Sequence, residues 1–221
     1  TGMTKVAKSP SEFDITPFLQ EGSNQLAIQV CRWHDGSYLE DQDFWRLSGL
    51  EQDVFLYALP KTSIWDFFLK ADLKNNYKDG VFNASVNLKN FDNAAQSGSL
   101  QLEIIPAYAS KAVYSATKKF TTTKTPVNFH TTIKNVQTWS AETPNLYDVV
   151  LTLKDASGKT LMLTSEQIGF RAIELKNAQL LVNGMPVLIK GVNLHIHDDV
   201  KGHVPSRKVM LKDLKLMKQN N

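Results

Sequence analysis

Residues 147–168 read YDVVLTLKDASGKTLMLTSEQI. Tyr147–Leu153 and Leu161–Ile168 are short runs of strand-favouring residues. Leu151-Thr152-Leu153 has the apolar-in, polar-out alternation of a strand with one face on a core and the other in water. Asp155-Ala156-Ser157-Gly158 between them is turn chemistry, with an acceptor side chain at its start and a glycine at its end. The period of two, punctuated this way, makes this part of the chain β.

Runs of the same kind recur upstream. They are Ser63–Leu73, Val81–Leu88, Ser99–Pro106, Val113–Thr121 and Val127–Ile133, with Lys78-Asp79-Gly80 as a turn before the second. Val86-Asn87-Leu88 repeats the alternation. About seven strands in about 110 residues predict an immunoglobulin- or fibronectin-like β-sandwich over residues 61–174. Trp139 lies close to Pro144, which excludes a central strand there, so Trp139 is expected to plug the sandwich rather than to stack on a sugar.

The flanks read differently. Before the sandwich, Glu21-Gly22-Ser23-Asn24 is a turn, and Asn24–Val30 and Asp53–Ala58 are strand-like. After it, Gln179–Val182 and Pro186–Ile189 flank Asn183-Gly184, the strongest short hairpin signal. Val187–Asn193 is a nearly continuous apolar run of the kind that parallel sheets bury on both faces. A histidine-rich polar loop follows, and then Ser206 can cap a helix whose Met210, Leu211, Leu214 and Met217 recur at helical spacing. Strand, loop and helix make one β/α unit. One unit cannot close a barrel, so the chain is expected to stop inside a domain.

Composition agrees with a globular protein: 221 residues, 42% hydrophobic and 21% charged. No run approaches the ~18–20 apolar residues of a membrane span, and no basic-then-apolar leader opens the chain. Cys31 is the sole cysteine, which excludes an internal disulfide and a cysteine-based zinc site and does not separate cytoplasm from periplasm. The net charge of +3 hides an asymmetry, because residues 1–60 hold nine acids against four bases. The basic excess is dense at the end, at Lys201, Arg207, Lys208, Lys212, Lys215 and Lys218. A nucleic-acid stripe needs aromatic partners. None follows Phe170, so these charges are read as a solvated helix face.

Two constellations could carry chemistry. In His34–Leu50, HDGSYLEDQDFWRLSGL, Glu40, Asp41 and Asp43 crowd together against Phe44 and Trp45. Clustered carboxylates repel, so a cation or a polar ligand should compensate them. Paired carboxylates could act in glycoside cleavage, but nothing local would raise the pKa of one alone, as a catalytic acid requires. A hard cation held by carboxylate oxygens is a second reading. Turn capping by Asp35 and Asp41, with Arg46 paired to a carboxylate and Trp45 buried, is a third. The second constellation is His195-Ile196-His197-Asp198-Asp199, with His203 nearby, between a strand and a helix. That is where α/β folds build active sites. Metal binding, recognition of ligand hydroxyls and an ordinary polar loop all stay open there.

CRWHDGSYLEDQDFWRLSGL closely resembles the segment RWSDGSYLEDQDxWRxSGI of the large β-galactosidases of glycoside hydrolase family 2. The likeness extends through SEFDITPFLQEGSNQLAIQV, TWSAETPNLYDVVLTL, IGFRAIEL, LLVNGMPVLIKGVNLHIH and LMKQNN. It implies three parts: residues 1–60 as the C-terminal part of a jelly-roll, sugar-binding-like domain, 61–174 as an immunoglobulin-like sandwich, and 175–221 as the start of a catalytic TIM barrel. It implies that Asp43 ligates a sodium ion and contacts galactosyl hydroxyls. His195 matches the histidine of the family's GVNRHEH stretch, which binds a galactose hydroxyl and stabilises the transition state. Leu194 and Ile196 depart from that stretch, where arginine and an acid stand. The family's two catalytic glutamates and its magnesium ligands fall beyond Asn221, so the resemblance implies an inactive fragment of a homo-oligomeric parent. A standalone carbohydrate-binding or immunoglobulin-like scaffold module, and a fragment of a related β-glucuronidase or β-mannosidase, are the alternatives.

Overall fold

The structure, a computed structural model, describes residues 2–4, 9–39, 45–92, 94–122 and 126–220. The chain divides into two compact units: residues 57–189, and residues 1–56 together with 190–221.

The first unit is built on seven strands: β1 (Thr62–Lys74), β2 (Asp79–Asn90), β3 (Ser97–Pro106), β4 (Tyr114–Thr121), β5 (Val127–Ile133), β6 (Tyr147–Asp155) and β7 (Thr160–Ile168). Each falls on a run legible in the sequence. They pair antiparallel into a three-stranded sheet, β1-β2-β5, and a four-stranded sheet, β4-β3-β6-β7. Alternate residues face inward: Phe82, Ala84, Val86 and Leu88 from β2, Leu100, Leu102 and Ile104 from β3, Val149, Leu151 and Leu153 from β6. Each large aliphatic or aromatic side chain so buried stabilises the fold by about 1.5–3 kcal/mol. The molecule is mainly β, as the sequence pattern predicts.

Three local devices set the register. In β1 the pairing with β2 shifts between Ile64 and Asp66, so Trp65 is an extra residue. Ile64 is buried before the bulge, and Phe67, Leu69 and Ala71 pack on the core after it; one added residue moves the core-facing set by one position. At the start of β6, the Tyr147 hydroxyl accepts from the Gln137 amide at 2.9 Å, the tyrosine corner of such sandwiches. Burial pushes that phenol's pKa up. At the β1–β2 turn, Asp79 is buried and accepts from Asn75 Nδ2 (2.7 Å), the Asn135 amide (3.1 Å) and Lys134 Nζ (3.1 Å). These donors, Asn75 foremost, hold its carboxyl down to about 2.

Trp139 sits half-buried at the sandwich's end, packed on Gly169, with the Arg171 guanidinium 4.4 Å from its ring centroid. A small antiparallel sheet follows, formed by β8 (Ile173–Lys176), β9 (Gln179–Val182) and β10 (Met185–Pro186). Asn183 and Gly184 turn with φ of 52° and 75°, the left-handed pair of a type I′ hairpin. The Asn183 side chain also accepts from the Ala172 amide and donates to the Trp139 carbonyl, both at 3.0 Å. Glu174 accepts from the Tyr77 hydroxyl at 2.6 Å. The little sheet is thereby fastened within its own unit.

The second unit holds a 3₁₀ turn (Thr16–Phe18), the short helix α1 (Gly36–Leu39) and the helix α2 (Arg207–Gln219). Three runs expected as strands, Asn24–Val30, Asp53–Ala58 and Val187–Asn193, form no ladder among the described residues. An alternating or apolar run becomes a strand only when a neighbour takes up its N–H and C=O groups. Leu188 and Ile189 are about four-fifths exposed (81% and 78%).

Candidate functional site

The acidic stretch is described up to its edges. His34 organises the approach: its Nδ1 accepts from the Gly36 amide at 3.1 Å, and its carbonyl accepts from the Ser37 amide at 2.9 Å, opening α1. Glu40, Asp41 and Asp43 lie outside the described residues. The segment resumes at Trp45, which is about half exposed (54%) rather than buried.

His195 stands exposed on the segment between β10 and α2. It lines an open cleft of about 740 Å³ whose walls include Trp45, Leu194, His197, Asp199 and Asp213. Trp45 meets His197 edge to face, with ring centroids 3.9 Å apart and planes at 87°. The Nδ1 atom of His197 is buried and has no hydrogen-bond partner among the described residues.

The loop after His197 is built by Asp198. Its carboxylate accepts from the Val200 and Lys201 amides, each at 2.9 Å, and its backbone exchanges two hydrogen bonds with Gly202. Those amides hold its pKa below the usual carboxylate value. Asp198 is therefore a turn staple, with Oδ1 taking both amides of its own loop. Gly202 has φ of 65°, and a Cβ there would stand 2.6 Å from a Leu47 methyl, so this glycine admits both the turn and the close approach of residue 47.

His203 is buried, 5% exposed, and its Nδ1 lies 2.9 Å from Glu51 Oε1. Nothing in the sequence announces this pair, because 152 positions separate the partners. Ser206 caps α2 as its sequence predicts, accepting from the Val209 amide at 3.3 Å. The face of α2 toward the cleft is Val209, Asp213, Leu216 and Met217. Of the expected stripe Met217 lines the cleft, while Met210, Leu211 and Leu214 are exposed. Lys201, Arg207, Lys208, Lys212, Lys215 and Lys218 are all exposed, consistent with a solvated charge row. Among the described residues no group of three or more His, Cys, Asp or Glu side chains is arranged to hold a metal, and no helix is long and apolar enough to cross a membrane.

Against known families, residues 1–60 match "Glycosyl hydrolases family 2, sugar binding domain", residues 62–171 match "Glycosyl hydrolases family 2", and residues 173–221 match "Glycosyl hydrolases family 2, TIM barrel domain". The chain belongs to glycosyl hydrolase family 2. Within the family it is similar to the β-galactosidase of Priestia megaterium, 41% identical over 224 residues, covering 100% of this chain and 22% of that protein. The β-galactosidase of Pseudoalteromonas haloplanktis is 41% identical over 227 residues with the same coverage. The chain thus spans about a fifth of these relatives' length. Among solved structures it resembles Ruminococcus gnavus β-glucuronidase in complex with D-glucaro 1,5-lactone (TM-score 0.66, 21% identity, 80% of this chain and 27% of that one). Apo Bacteroides uniformis β-glucuronidase 3 is similar too (TM-score 0.67, 22% identity, 80% and 21%). At those identities the likeness is one of family 2 fold.

Proposed function

We propose that this chain is part of a retaining β-galactosidase, to which it contributes scaffold and substrate-positioning groups. One observation carries the reading: 41% identity to a protein named β-galactosidase runs the full length of the chain. On this reading residues 1–60 belong to a jelly-roll domain, 61–174 are the immunoglobulin-like domain and 175–221 enter the barrel. Asp43 offers hard carboxylate oxygens, the donor chemistry suited to sodium and to sugar hydroxyls. The magnesium ligands of the whole enzyme lie outside this chain, and the whole enzyme is a homo-oligomer.

His195 has an imidazole whose N–H can donate to a galactosyl hydroxyl and whose other nitrogen can accept. Its exposure in an open cleft supports access by a sugar. Held in place, such a group accelerates the reaction by interactions that tighten as charge develops at the sugar ring. In a retaining glycosidase one carboxylic acid protonates the departing oxygen while a carboxylate attacks the anomeric carbon, and water then releases the covalent intermediate. Those two carboxyls belong to barrel positions outside the matched stretch, so the 221-residue chain alone is expected to be inert.

The test is turnover of nitrophenyl β-galactoside, β-glucuronide and β-mannoside by a longer polypeptide continuing the reading frame past Asn221. It should cleave the galactoside, and the 221-residue chain should cleave none of them. Preference for the glucuronide, or galactoside turnover by the short chain above a mock preparation, overturns the reading. Tight galactose binding by the short chain in calorimetry would point instead to a standalone carbohydrate-binding module.

A further inference from the structure

His195 lies outside any strand or helix, on the segment between β10 and α2. A side chain expected to hold a sugar in one geometry needs a support, and contacts that can supply one lie in the segment directly after His195. Three contacts join residues 45–51 to residues 197–203. Trp45 meets the His197 ring at 3.9 Å, Leu47 abuts Gly202, and Glu51 meets His203 at 2.9 Å. The contacts keep the same order along both segments. One segment follows directly from the acidic stretch and the other from His195. Trp45 stands two positions after Asp43, and His197 two positions after His195.

Of the three, the Glu51–His203 contact is the costly one to lose. The His203 ring is 5% exposed, and removing Glu51 would leave its buried Nδ1 without the carboxylate it meets. An ionised carboxylate only accepts, so the 2.9 Å contact requires the proton on His203 Nδ1.

We propose that Glu51 and His203 are positioning residues, a seam that fixes the loop carrying His195 against the segment that follows Asp43. The inference rests on the galactosidase reading for what His195 does, and on geometry alone for what holds His195.

The test compares Glu51→Leu, which removes the acceptor, with Glu51→Gln, which keeps one. In the 221-residue chain, amide hydrogen exchange over residues 194–203 should quicken about tenfold in Glu51→Leu, stay within about threefold of wild type in Glu51→Gln, and leave β2, β3 and β6 unchanged. In the longer polypeptide, kcat/KM for nitrophenyl galactoside should fall about tenfold in Glu51→Leu and be largely kept in Glu51→Gln. Unchanged exchange over 194–203 in Glu51→Leu, or a loosened loop with kcat/KM intact, overturns the proposal. Should Glu51→Leu fail to fold, a long-range proton–nitrogen spectrum of the wild type decides. A proton on Nδ1 of His203 supports the seam, and a proton on Nε2 alone overturns it. A longer polypeptide that cleaves no galactoside sinks the functional reading, and exchange and spectrum then judge the seam by themselves.

Discussion

Asp79 shows how one residue carries a local structure. Its carboxylate ties Asn75 in the β1–β2 turn to Asn135 in the loop after β5, and its pKa is held at about 2 against an ordinary 3.8. A depressed carboxylate contributes stability that is full above the unfolded value and is lost as pH falls through the folded one. Asp79→Asn should therefore lower the urea midpoint at pH 7, with the gap to wild type closing between about pH 3.8 and 2; a gap that persists at pH 2 would refute the assignment. In the sequence Asp79 reads only as turn chemistry, because its second donor stands 56 positions away. His195 is singled out by the resemblance of its motif, and it lies exposed in the cleft. In a galactoside-cleaving longer polypeptide, His195→Phe should cut kcat/KM about a hundredfold with the melting temperature unchanged. An equal fall in thermal stability would make the residue structural instead.

Among the elements, hairpins were the most legible and helix orientation the least. Asn183-Gly184 spells its turn, since both central positions need φ above zero and both residues accept it. The neighbouring turn between β8 and β9 uses Asn177 and Ala178 at φ of 52° and 58°, and an alanine there gives no sequence signal. Left-handed backbone costs an L residue about 1–2 kcal/mol, and glycine returns part of that as unfolded-state entropy. Ala178→Gly should therefore stabilise the unit by about 0.5–1 kcal/mol in urea denaturation; a loss of stability would mean that the methyl is packed. Helix α2 starts where Ser206 predicts. Periodicity alone places its apolar stripe at Met210, Leu211, Leu214 and Met217, and of these Met217 lines the cleft, beside Val209, Asp213 and Leu216. The rotation of an amphipathic helix is set by the surface it meets, which its own sequence does not contain.

At the scale of the molecule, the unit of residues 57–189 contains the sandwich core, the tyrosine corner and the fastened small sheet. Every core strand finds its partner inside it. A polypeptide of those residues alone should therefore unfold in one cooperative transition, with calorimetric and van't Hoff enthalpies equal; a broad or absent transition would show that the core depends on the rest of the chain. The sequence by itself determined the strands β1–β7, the Asn183-Gly184 hairpin, the cap of α2 and the runs that mark family 2. All of these depend on periodicity and turn chemistry within a few residues, where backbone sterics and alternation act. Only the tertiary structure decided that Glu51 pairs with His203, that Trp45 meets His197, that Asp198 staples its own turn, and that three strand-like runs form no ladder among the described residues. A contact across 152 residues, or a ladder bond to a neighbour, is a property of two surfaces brought together, and neither surface alone specifies the other.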